Sequence, residues 1–202
     1  MSKRDTEFIF ETGALKFVKR SWQQFFSIPV QNVSEHTFRI MWLALLISRM
    51  EFFGRNKKCN ISEEKIMKMV LVHDIAESRM GDTNLVSRRY CKQDEQLAMN
   101  DILDKTQFKK DFLSIYKEFN ERKSWEAKIV KDADNLDVDI ECEELKSRGA
   151  NVPKEWVKFR QKVYKDFYTD SARLLSKKVK QADPNDWHQF GRNRFNSGDW
   201  KK

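Results

Sequence analysis

The stretch VHDIAESRMGD, residues 72 to 82, sets a histidine, two aspartates, a glutamate and an arginine at the end of an apolar helical pattern. Imidazoles and carboxylates so grouped can ligate a divalent cation, move protons, or simply face water. The face of the helix decides. At ~100° per residue, Ile66, Val70, His73 and Glu77 fall within about 60° of one another, so His73 and Glu77 lie on the apolar side. Asp74 sits about 100° from His73, at the edge of that stripe. Arg79 falls away from it and reads as a solvated or ion-paired surface residue.

In the preceding helical stretch, His36 shares a face with Val33, Ile40, Leu43 and Ile47. A lone histidine on an apolar face is more often a hydrogen-bonded core residue than a ligand. Here two of the chain's three histidines point inward on adjacent helices, followed by an edge aspartate and an inward glutamate. Buried carboxylates without a counter-ion are costly, and a divalent cation would satisfy the whole set. A further carboxylate is available in SWEAKIVKDADNLDVDIECEEL, residues 124 to 145. Its core stripe is Ile129, Ala133, Leu136 and Ile140. Asp134, Asp137 and Glu141 flank one side, Asp132 and Asp139 the other. Periodicity leaves open which side faces the histidines and which of the five are merely solvated.

The elements that must position these groups are all helical. Six Gly and three Pro in 202 residues leave little turn chemistry for a many-stranded sheet, so the expected class is all-α. Helices are predicted over 13–26, over 32–53 with Ser34 as N-cap and Gly54 as terminator, and over 60–81. The last has Ser62 as cap, Glu63 and Glu64 in the dipole-favoured first turn, and Gly81 as stop. Residues 92–104, 107–120 and 124–145 follow the same pattern, and a last helical pattern lies between Pro153 and Pro184. The two Asn-x-Ser sequons at Asn32 and Asn60 coincide with helix starts and read as caps rather than glycosylation sites.

Composition narrows the setting. Cys59, Cys91 and Cys142 are widely spaced and odd in number, which suits neither a disulfide framework nor a metal-binding Cys pair. Reduced thiols, and hence the cytoplasm, are expected. No signal-peptide core opens the chain and no membrane-length apolar run interrupts it. The net charge of +8 is concentrated after residue 154. There KKVK (177–180) and GRNRFNSGDWKK (191–202) read as a solvated helix end and tail rather than a base-reading surface.

The anchors RSW (20–22), PVQNVSEH (29–36), VHDIAESRMGD (72–82) and EAKIVKDADNLD (126–137) together resemble the HD-domain phosphohydrolases, most closely the small 5′-deoxynucleotidase-type proteins. The resemblance runs from about Leu15 to about Arg148. It implies a single HD-type helical domain over 1–150, with 151–202 a helical extension and basic tail packed on the same domain. It implies that His36, His73, Asp74 and Asp134 bind one divalent metal and that Glu77 is a catalytic acid or base. Asp82 would contact the sugar or assist the nucleophilic water. Trp22 matches an aromatic at the nucleotide site, and Arg20 is the nearest cation for phosphate, although Ser21 stands where a relative has arginine. After Gly81-Asp82 the family continues with an apolar residue and Pro. This chain has Thr83-Asn84, in a loop that contacts substrate in relatives. A homodimer is suggested by the resemblance alone.

A mixed nitrogen and oxygen set suits Mn²⁺, Co²⁺, Fe²⁺, Ni²⁺ or Zn²⁺ better than Mg²⁺, which stays open. Binuclear relatives use extra histidines that are missing here, so one metal is expected. The implied function is phosphate release from a nucleoside monophosphate or related small phosphate ester, by a metal-held water with Glu77 as general base. The competing reading is a low-turnover nucleotide-sensing or nucleic-acid-binding module that uses the basic tail. The intact H…HD…D set with Glu77 favours the enzyme.

Overall fold

Apolar residues at three- and four-residue spacing turn most of the chain into helix. The computed structural model describes residues 2–53 and 61–189. Helix α1 spans Lys3–Gly13, α2 Val33–Ser48, α3 Glu63–Val72, α4 Glu77–Met80 and α5 Glu95–Leu103; α6 spans Lys109–Glu121, α7 Trp125–Ser147, α8 Lys154–Asp166, α9 Asp170–Val179 and α10 Asp186–Gln189. No strand occurs among the described residues, only an isolated antiparallel bridge between Lys19 and Asn32. The all-α expectation holds, and no described helix is long and apolar enough to cross a membrane. Gly54, Cys59 and Asn60, and the tail sequence from 191 on, lie outside the described residues.

The N-terminal helix differs from the one predicted over 13–26. It starts at Lys3, where Ser2 and Asp5 form a capping box. The predicted region breaks into two 3₁₀ turns, Ala14–Phe17 and Ser21–Phe25. The reason is tertiary: the Val33 N–H donates to the Val18 carbonyl at 3.0 Å, pinning 18–20 as extended chain against the start of α2. The cap of α2 is also two residues earlier than predicted. Asn32 Oδ1 accepts the Glu35 N–H at 3.0 Å and Glu35 returns the bond to the Asn32 N–H at 2.8 Å, leaving Ser34 inside the first turn.

Helix α7 runs through the centre. Ile129, Ala133 and Leu136 are fully buried with Ile40, Ala44 and Ile47 of α2 and Ile66 and Met69 of α3. Each large side chain so buried stabilises the fold by roughly 1.5–3 kcal/mol. The predicted 153–184 helix is two helices, because Asp132 holds the bend between them. Its carboxylate accepts the N–H of Tyr168 at 2.9 Å and both the N–H and Oγ1–H of Thr169 at 2.8 Å. Asp139 accepts from Arg160 Nε at 2.6 Å and Ser176 Oγ at 3.0 Å. One flank of α7 is thus occupied by α8 and α9, and the flank bearing Asp134, Asp137 and Glu141 is left to face α2. This answers the question that periodicity left open.

Candidate metal centre

The Nε2 atoms of His36 on α2 and His73 at the end of α3 converge with a carboxylate oxygen of Asp74, all within 4.8 Å of one another. Asp74 Oδ2 lies 3.5 Å from His36 Nε2 and 3.1 Å from His73 Nε2, and Asp134 Oδ1 on α7 lies 3.3 Å from His36 Nε2. Both imidazoles are held by their other nitrogen. His73 Nδ1–H donates to the Val70 carbonyl at 2.7 Å, and His36 Nδ1 is 2.6 Å from Asp137 Oδ2. Neither buried Nε2 atom has a hydrogen-bond partner. Two imidazoles fixed through Nδ1, with Nε2 aimed at two carboxylates, form a fitting mixed set for a divalent cation.

A local change of winding brings Asp74 and Glu77 to the same site. Between α3 and α4 the backbone bonds tighten, with Glu77 N–H donating to the Asp74 carbonyl at 3.0 Å and Ser78 N–H to that of Ile75 at 3.1 Å. Side chains three apart eclipse in such a turn, so Glu77 stands over Asp74. Gly81 then ends the segment at φ 72°, its N–H bonded to the Glu77 carbonyl at 2.8 Å. The left-handed conformation is one that glycine adopts without a Cβ penalty. It turns the chain so that Asp82 Oδ2 accepts the Ser21 N–H at 3.0 Å and lies 3.4 Å from Arg20 Nε.

The electrostatics are those of a charged, half-closed cavity. Burial opposes ionisation of the half-buried Asp74, yet the His73 and His36 imidazoles hold its carboxyl well below the usual range. Burial likewise opposes ionisation of Asp134, and Lys131 and His36 overcome it and hold that carboxyl well below its ordinary value. Lys131 Nζ is 2.6 Å from Asp134 Oδ2. In His36, burial and Arg20 disfavour the charged form, but Asp134, Asp137 and Asp74 raise it well above an ordinary histidine. Burial, with Asp74 and Asp82 adding repulsion, pushes Glu77 up to about 9. Its Oε2 is buried without a partner.

Beside this centre opens a cleft of about 510 Å³, lined by Arg20, Trp22, Asp82, Thr83 and Asn84 among others. Arg20 joins the two, with Nη1 3.3 Å from Asp74 Oδ2. All four residues expected to bind substrate therefore line the same cleft. Asn84 is partly committed, since its Oδ1 accepts the N–H groups of Val86 and Ser87 at 3.0 Å each. Arg79 is an ion-paired surface residue, its Nε 2.5 Å from Glu11 Oε1. A larger groove of about 1170 Å³ opens around Gln31, Arg39 and Trp42; the four convergent ligands line neither opening, and it is Arg20 that connects the smaller cleft to them. Two things were not read from the sequence: Asp137 as the anchor of His36, and Trp156 and Phe159 of α8 in the cleft wall. The first was signalled by its position three residues after Asp134 on one flank; the second carried no local signal.

A family model described as an HD domain matches residues 12–182, the match running through α9. The chain belongs to the HD-domain family. Among HD-domain relatives, the chain is 29% identical over 148 residues to 5′-deoxynucleotidase HDDC2 of Dictyostelium discoideum, covering 70% of this chain and 77% of that one. A conserved hypothetical protein from Pyrococcus furiosus has the same fold, with TM-score 0.72 and 22% identity over 88% of this chain and 99% of that one. The HD phosphohydrolase DatZ of cyanophage S-2L, solved with dA and one catalytic Zn²⁺ ion, aligns with TM-score 0.53 and 15% identity over 86% of this chain and 96% of that one.

Proposed function

We propose that this HD-domain protein is a metal-dependent phosphohydrolase that releases phosphate from a nucleoside monophosphate, in the manner of a 5′-deoxynucleotidase. The observation that carries the reading is the pair of buried Nε2 atoms of His36 and His73, without hydrogen bonds and facing Asp74 and Asp134, beside a cleft lined by the Arg20 guanidinium. The names of the relatives agree with it.

In this reading His36, His73, Asp74 and Asp134 hold one divalent ion, and their donor types favour Mn²⁺, Co²⁺, Fe²⁺, Ni²⁺ or Zn²⁺ over Mg²⁺. When bound, such an ion polarises the phosphoryl group and lowers the pKa of water to roughly neutral. Arg20 supplies positive charge to the phosphate from its place between Asp74 and Asp82. Hydrolysis joins a water oxygen to phosphorus as the bond to the sugar oxygen breaks. One proton leaves the water and one is needed by the leaving oxygen. With a cation held by the four ligands, its positive charge would favour the carboxylate of Glu77 over the protonated form of the metal-free site. Glu77 is then the group placed to take the first proton, through its buried Oε2. Asp82 holds the Ser21 backbone and so sets the 20–22 segment against the substrate. Trp22 and Thr83 line the sugar side. The protein acts in the cytoplasm, where Cys91 and Cys142 stay as free thiols, and by family likeness as a homodimer.

A phosphate-release screen over deoxynucleoside and ribonucleoside mono- and triphosphates, each with Mn²⁺, Co²⁺ and Mg²⁺, tests this. Metal-dependent release from a monophosphate is expected. No release from any of them with any metal overturns the reading.

A further inference from the structure

The cleft beside the metal centre is lined by both polar and aromatic side chains. Phe159 is 50% exposed, Phe25 52% and Leu85 66%, and all three line the same cleft as Arg20 and Asp82. Single exposed hydrophobic residues are ordinary, but several on one concave wall mark a place where apolar surface awaits a ligand. Trp156 continues the wall, its ring centroid 5.4 Å from that of Trp22 and 5.9 Å from that of Phe25. The wall is firmly mounted. Arg160, next to Phe159 on α8, donates to Asp139 at 2.6 Å and to the Asn135 carbonyl at 2.5 Å, which ties α8 to the helix that carries Asp134.

Resting on the reading of the site as a nucleotide phosphohydrolase, we propose that α8 supplies the base subsite. Phe159 and Trp156, together with Phe25, stack the nucleobase while the phosphate lies at Arg20. The occupant is a planar, uncharged ring joined to a phosphate ester, because these aromatic side chains line the same cleft as the guanidinium that lies 3.3 Å from a metal ligand. About 510 Å³ is within the usual range for a small-molecule site. Stacking uses the π-face that every base shares, so this wall raises affinity without choosing a base. The region after residue 150, remote in sequence from the H…HD…D residues, then helps to bind substrate.

The test compares wild type with Phe159→Ala and Trp156→Leu on two substrates: a deoxynucleoside monophosphate, and deoxyribose 5-phosphate, which carries the same scissile bond without a base. Phe159 is half-exposed, so its truncation leaves the fold intact, as a melting curve by circular dichroism verifies. The expected result is a roughly tenfold fall in the ratio of kcat/KM for the nucleotide to kcat/KM for the sugar phosphate, carried mainly by KM. Equal falls on both substrates, or no fall on either, overturn the base subsite while leaving the hydrolase intact. If wild type hydrolyses neither substrate, the catalytic reading falls, and titration of tryptophan fluorescence with the nucleotide decides the subsite. Saturable quenching weakened by Phe159→Ala sustains it, and no quenching in wild type overturns it.

Discussion

Asp137 Oδ2 lies 2.6 Å from His36 Nδ1, and both side chains are fully buried. Gln31 Nε2 also donates to Asp137 Oδ2, and Arg39 Nε lies 3.4 Å from its other oxygen. The carboxylate therefore fixes the ring of His36 with Nε2 turned toward Asp74 and Asp134. Removing such a partner of a ligating histidine costs roughly 10–100-fold in metal affinity. Asp137→Asn is expected to weaken Mn²⁺ or Co²⁺ binding by that factor in isothermal titration calorimetry. Unchanged affinity would mean that packing alone orients His36.

His36→Ala and Asp74→Ala each remove one of the converging ligand groups. Both variants are expected to lose metal-dependent phosphate release. Glu77→Ala keeps the ligands and removes the proton acceptor, so its kcat should fall by roughly 10²–10⁴ while calorimetry still shows the cation binding. Wild-type rates in any of the three would remove that residue from the site.

The metal-free protein carries a pH signature. Glu77 is pushed from 4.5 to about 9, so the folded chain holds a proton that the unfolded chain releases at neutral pH. Its contribution is complete below 4.5 and is lost as pH climbs toward about 9. His36, also raised, adds a loss of the same sign above its ordinary value. Asp74 and Asp134, held low, act oppositely and stabilise only above the normal carboxylate range. Thermal melts of EDTA-treated protein from pH ~5 to ~9 should therefore show Tm falling, with a flatter slope in Glu77→Gln. An identical slope in the variant would show that Glu77 does not keep its proton.

Asp132 and Asp134, two residues apart on α7, should fail in different ways. Asp132→Ala strands the buried donors of Thr169 and the part-buried N–H of Tyr168. A loss of about 3 kcal/mol is expected, read as a Tm lower by roughly 6–12 °C in a chain of this size, with cation binding retained. Asp134→Ala removes a carboxylate 3.3 Å from His36 Nε2 and should abolish tight cation binding at little cost in stability. If both variants behave alike, the assignment of opposite flanks is wrong.

By itself the sequence determined the helical class, the stop at Gly81, and the inward pointing of His36, His73 and Glu77. Apolar spacing and glycine's access to positive φ are properties of a segment and its immediate neighbours. Tertiary structure decided the rest. Periodicity gives an angle about a helix axis but not the identity of what lies opposite, so only the packing of α8 and α9 could send Asp132 and Asp139 one way and Asp134 and Asp137 the other. The 13–26 segment has helical spacing, yet its pairing with the start of α2 holds 18–20 extended, a competition between distant residues that no local pattern encodes. The arrival of Trp156 and Phe159 at the cleft depends in the same way on packing between segments far apart in the chain.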